Sequence, residues 1–105
     1  MMSLSKGPHE RLDFARDRKY LAWIRTQPCL TCRTTRGIEA AHTGKAGMGI
    51  KSTDYSALPL CGPCHRTGAA SYHNLGERRW SDAWGVDIGA RVAAYRERYN
   101  QEQAK

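Results

Sequence analysis

A chain of 105 residues has room for one small domain and no more. Its apolar fraction of 40% gives a core that is marginal without a staple, and no apolar run approaches the roughly 18 residues of a membrane span. The formal net charge of +7 asks for a polyanionic partner. Nucleic acid is favoured over a membrane surface, because no segment pairs a basic face with a strongly apolar one.

Residues 1–16 are polar and mixed in charge, and read as a flexible arm that also holds His9. The arm has no apolar h-region, so no signal peptide is expected, and the chain reads as soluble and intracellular. Asp17 can cap a short helix from Asp17 to Thr26, with Tyr20, Leu21 and Ile24 on one face and Trp23 beside them. Pro28 stops it. Cys29-Leu30-Thr31-Cys32 follows as a first knuckle, then a basic turn, Arg33 to Gly37. Ile38 to His42 reads as a strand, and Gly44 to Lys51 as a glycine-rich loop with lysines at 45 and 51. That loop lacks the spacing of a Walker A or dinucleotide motif, so nucleotide binding is rejected; phosphate contact and a plain surface loop fit it equally. Thr53 and Asp54 suit a turn or brief helical cap, and Tyr55 to Leu60 a second extended segment. Cys61-Gly62-Pro63-Cys64-His65 is the second knuckle. Beyond Thr67 the pattern turns helical, interrupted at Gly68 and Gly76. Trp80 and Trp84 read as core, Gly85 as a helix stop, and Asp87 as the cap of a last helix with Ile88, Val92, Tyr95 and Tyr99 on one face. Residues 17–100 form the expected domain, α+β in class, and 101–105 a frayed tail.

Four cysteines in two Cys-x-x-Cys pairs suit a closed tetrahedral zinc site made by Cys29, Cys32, Cys61 and Cys64. The gap of about 28 residues between the pairs exceeds the 15–20 of short zinc ribbons, so folded structure must lie between them. Redox pairs fit two knuckles poorly, and disulfides need an oxidising compartment. His42 lies in the insert, with His65 and His73 just after the second knuckle, so closing the loop on zinc draws three histidines together. Phosphodiester hydrolysis needs a base of near-neutral pKa, a divalent cation and basic residues to hold the backbone, and this window offers candidates for all three. The candidates for DNA contact are Arg33, Arg36, Lys45, Lys51, Arg66, Arg78 and Arg79.

Cys29-x-x-Cys32, Ala41-His42 and Leu60-Cys61-x-x-Cys64-His65 resemble the motif of the HNH, or ββα-metal (His-Me finger), endonucleases with zinc knuckles. Tyr20 to Arg25, Gly47 to Asp54, Pro59 to Cys61 and His73 to Gly76 are similar to the phage branch that includes the recombination-enhancement nuclease Ref. The resemblance covers about Asp17 to Tyr99. It implies a ββα-metal finger with a four-cysteine zinc knuckle site, flanked by short N- and C-terminal helices. By the same resemblance His42 is the general base, and His65 and His73 hold a catalytic Mg²⁺, Mn²⁺ or other divalent ion. The implied products are a 5′-phosphate and a 3′-hydroxyl, and the implied setting is phage or prophage DNA recombination in the bacterial cytoplasm. DNA is then the partner, with a recombinase filament as a further one, no membrane, and a monomer or weak dimer. Ala41 departs from the pattern, in which an acidic residue or a histidine precedes the base. Three readings stay open: fewer protein ligands plus water, Asp54 as an added ligand, or His42 itself as a ligand. A zinc-knuckle nucleic-acid-binding module without catalysis uses the same cysteines and charge but has no need of the three histidines.

Overall fold

The computed structural model describes residues 16–44 and 53–104. Residues 1–15 and 45–52 lie outside them, as does Lys105; these take in all but Arg16 of the predicted arm and all but Gly44 of the predicted glycine-rich loop, with His9, Lys45 and Lys51. The frame is an antiparallel hairpin of β1 (Ile38–His42) and β2 (Ala57–Cys61). Its register pairs Ile38 with Cys61 and His42 with Ala57. All five β2 residues are buried. Pro59 is tolerated there because its carbonyl faces away from β1 and accepts from the Leu30 amide (2.9 Å). In an antiparallel strand a residue's N and C=O share one edge, so the missing Pro59 N–H also falls on that outer edge and no ladder bond is lost. Tyr55, predicted to lead the strand, lies instead in a single 3₁₀ turn, Asp54–Ser56, capped by the Thr53 side chain.

Helices surround the hairpin. Asp17 caps α1 (Arg18–Ile24), its carboxylate accepting from the Tyr20 amide at 3.0 Å. After β2 comes one π-helical turn, Pro63–Thr67, then α2 (Tyr72–Leu75), α3 (Glu77–Trp84) and α4 (Ile88–Gln103). Ser71 caps α2 and Asp87 caps α4 through their side-chain oxygens. Gly85, at φ 65°, ends α3 in the left-handed conformation that glycine adopts without a Cβ clash.

The core joins Tyr20, Ile24, Leu58, Leu60, Trp80, Ile88, Val92 and Tyr95 around Cys29 and Cys61. An aromatic clasp ties α1 to α4: the Tyr20 and Tyr99 rings meet edge to face at 4.9 Å, and Trp23 lies 5.3 Å from Tyr99. The Trp23 indole also donates to Glu102 at 2.8 Å. That long-range bond explains why α4 runs on to Gln103 where the polar composition predicts a frayed end. Trp84 also departs from expectation. It is 42% exposed, and its indole N–H donates to the Ala70 carbonyl, because α3 passes beyond the core in its last turn.

Candidate metal centre and histidine pairs

The first knuckle is a tight loop. The Cys29 amide donates to Thr34 O (2.8 Å), the Arg33 amide returns to Cys29 O (3.0 Å), and Arg33 takes φ 70° to close the turn. The Leu30–Pro59 bond lays this knuckle along the outer edge of β2, whose last residue is Cys61. The sulfurs of Cys29, Cys32, Cys61 and Cys64 consequently lie within 4.8 Å of one another, Cys32 and Cys61 at 3.6 Å. A tetrahedron of thiolates about 2.3 Å from zinc has edges of about 3.8 Å, so this donor set fits that ion. Burial pushes the Cys61 and Cys64 thiols up. Burial acts the same way on Cys29, but the Thr31 hydroxyl and nearby backbone amides outweigh it and bring that thiol down. Loading the site with a metal therefore releases protons, and acid opposes it.

The three histidines fall into two groups. His42, at the end of β1, is about one-third exposed, and its Nε2 lies 2.9 Å from Oδ1 of Asp54, whose side chain is 5% exposed. The second oxygen of Asp54 accepts from the Asp17 amide at 2.6 Å. Burial raises the Asp54 pKa, yet the bonds from His42 and the Asp17 amide outweigh it and hold the carboxyl below its ordinary range. An ionised carboxylate can only accept, so Nε2 of His42 carries the proton and, in the neutral ring, Nδ1 keeps the lone pair. Asp17 in turn accepts from the Tyr55 hydroxyl at 2.7 Å, which binds α1, the 3₁₀ turn and His42 into one network.

His65 and His73 meet edge to face with ring centroids 4.6 Å apart. The π turn and α2 produce this approach. Gly68 N closes the turn on Pro63 O (2.8 Å), and Gly68 O receives the Ser71 amide (3.0 Å) and the Asn74 side chain (2.6 Å). His65 Nδ1 lies 2.7 Å from Glu39 Oε1. The two groups stand at different stations on β1: Glu39 opposite Leu60 and His42 opposite Ala57, three residues and about 10 Å apart along the strand. Among the described residues, the cysteine set is where three or more potential metal donors gather. Asp54 faces His42 rather than the His65–His73 pair.

Of the basic candidates, Arg33, Arg36, Arg78 and Arg79 are exposed. Arg66 differs from expectation: its guanidinium is engaged by Glu39 through Nε (2.9 Å) and Nη2 (2.7 Å). Glu39 itself is absent from the residues singled out by motif. Its signal in the sequence is a charged side chain on the same strand face as the buried Ala41.

Fold and site together define a small α+β protein on a two-stranded hairpin, with a group of four cysteines able to hold a metal such as zinc. The family model described as "Protein of unknown function (DUF968)" matches residues 6–93, and the chain belongs to that family. The uncharacterized protein YdfU of Escherichia coli (strain K12) is 40% identical over 50 residues, 45% of this chain and 14% of the relative. The chain thus matches a small part of that relative's length. No solved structure matches significantly. Among the described residues, no helix is long and apolar enough to cross a membrane.

Proposed function

We propose that this chain is a metal-dependent DNA endonuclease of the HNH kind, hydrolysing phosphodiester bonds to a 5′-phosphate and a 3′-hydroxyl. The observation that carries the reading is the approach of the His65 and His73 rings to 4.6 Å, beside the hairpin whose first strand ends in His42. A zinc module that only binds nucleic acid gains nothing from that approach. In this reading zinc on the four cysteines is structural. His65 and His73 would hold a divalent cation such as Mg²⁺ or Mn²⁺, which would supply charge neutralisation at the scissile phosphate and the leaving oxygen. His42, its Nε2 proton held by Asp54, offers Nδ1 to take a proton from the attacking water. Arg33, Arg36, Arg78 and Arg79 neutralise backbone phosphates, so binding falls steeply with salt. Phage or prophage DNA recombination is the setting that the motif resemblance suggests, with a recombinase filament as a further partner to test.

The direct test is cleavage of a panel of single-stranded, duplex, displacement-loop and branched DNAs with Mg²⁺ or Mn²⁺. His42→Ala should lower the rate at least 100-fold, the low end for loss of a general base, with zinc content and DNA binding retained. Undiminished cutting by that variant refutes His42 as the base. The separation of the two histidine groups along β1 favours a second reading, a zinc-stapled DNA-binding module. It predicts DNA binding with no cleavage, and binding unaffected by His42→Ala, His65→Ala or His73→Ala.

A further inference from the structure

Glu39 is half-buried on β1, and every polar atom of its carboxylate is in use. Oε1 accepts from His65 Nδ1 (2.7 Å) and from Arg66 Nε (2.9 Å), and Oε2 accepts from Arg66 Nη2 (2.7 Å). The paired guanidinium bonds lock the carboxylate plane, since a fork-to-fork contact fixes orientation as well as distance. Forked by the Arg66 guanidinium, the carboxylate is an anion near neutral pH and cannot donate. The proton in the Glu39–His65 bond must belong to the imidazole.

The geometry points to Glu39 as a positioning residue that fixes His65 as the Nδ1–H tautomer and so leaves Nε2 as its free donor atom, with Arg66 bracing the carboxylate. The ring is constrained from a second side by His73, whose ring stands nearly perpendicular to it with centroids 4.6 Å apart. A carboxylate behind a ligating imidazole sets the ring's tautomer and orientation and raises its basicity, and its loss typically weakens metal binding ten- to hundred-fold. Glu39 and Asp54 then do opposite things to their partners. His42 is held through Nε2 and presents Nδ1; His65 is held through Nδ1 and presents Nε2. Arg66 moves accordingly from the DNA-contact set to the support of the site. The inference rests on the proposed function in one respect, that the freed Nε2 serves a divalent cation.

The test uses the full zinc-loaded chain and three variants, Glu39→Ala, Glu39→Gln and Arg66→Ala. Long-range ¹H–¹⁵N correlation spectra of the histidine rings read the tautomer directly, and Mn²⁺ alone, titrated by electron paramagnetic resonance, reads the cation site. Wild type should show His65 with its proton on Nδ1. Glu39→Ala should shift the ring toward Nε2–H and weaken Mn²⁺ binding ten-fold or more. Glu39→Gln keeps an accepting oxygen and should hold the tautomer, a rescue that a merely structural ion pair does not predict. Arg66→Ala should cause a smaller loss in the same direction. If Glu39→Ala proves unstable, the Arg66→Ala and Glu39→Gln spectra decide. An unchanged His65 tautomer or unchanged Mn²⁺ affinity in Glu39→Ala, or in Arg66→Ala with Glu39→Gln indistinguishable from it, overturns the assignment. The two ideas fail separately. Wild type that binds Mn²⁺ in a Glu39-dependent way but cuts no DNA sinks the nuclease and leaves the positioning role. Wild type that cuts while Glu39→Ala binds Mn²⁺ normally sinks the positioning role alone.

Discussion

Asp54 has two oxygens and two donors that claim them: the Asp17 amide at 2.6 Å and His42 Nε2 at 2.9 Å. An asparagine there has one oxygen to give. The backbone amide cannot turn away, so the amide oxygen goes to Asp17 and the NH₂ faces His42, forcing its proton onto Nδ1. Asp54→Asn should consequently lower any DNA cleavage about 100-fold or more while leaving zinc content unchanged; cleavage assays beside metal analysis check this. Tyr20 presents the reverse situation. Its ring is wholly buried in the aromatic clasp, and its hydroxyl has no hydrogen-bond partner among the described residues. Burial, the largest influence on it, pushes its pKa above the ordinary value. Removing an unsatisfied buried hydroxyl recovers about 1 kcal/mol, so Tyr20→Phe should melt a few degrees higher by calorimetry.

At the level of elements, the π turn is the piece with least slack. A Cβ on Gly68 would sit 2.7 Å from the Pro63 carbonyl oxygen, a backbone atom that cannot swing aside. Gly68→Ala should cost about 1–3 kcal/mol, in the range of overpacking, and should part the His65 and His73 rings, seen as a lowered melting point and altered histidine ring signals. The sequence marks Gly68 as an interruption but not the i→i+5 bond that it closes, because that bond depends on the knuckle prolyl carbonyl rather than on local propensity. Capping was readable. Asp17, Ser71, Thr53 and Asp87 are side chains whose capping chemistry is local, and Asp17, Thr53 and Asp87 cap where composition places them. The strand bearing His42 was also readable, as was the cysteine pairing. The partners of the histidines were not. Glu39 reaches across 26 positions to His65, and Asp54 across 12 to His42; such pairings follow from hairpin register, which no short motif encodes. Trp84 misled because its spacing from Trp80 is helical, while the length of α3 decides which turn reaches the core.

For the molecule as a whole, the hairpin and first knuckle close on the cysteine set, and the remaining core is small. Structural zinc contributes about 10–16 kcal/mol in isolated knuckles near neutral pH, comparable to the whole net stability of a domain, about 5–15 kcal/mol. With zinc on the cysteine set, as proposed, stripping the metal with a strong chelator should abolish the cooperative fold, and Cys61→Ser should do the same. Circular dichroism with parallel zinc analysis measures both, and a native-like near-ultraviolet spectrum in metal-free protein would count against the assignment.

Asp17 heads the first helix, receives the Tyr55 hydroxyl and, through its own amide, steadies the acid behind His42. A chain whose leading helix has not yet seated thus has an unaligned imidazole at position 42. On the nuclease reading, nascent or partly denatured copies leave DNA intact, and competence to cut arrives together with completed folding.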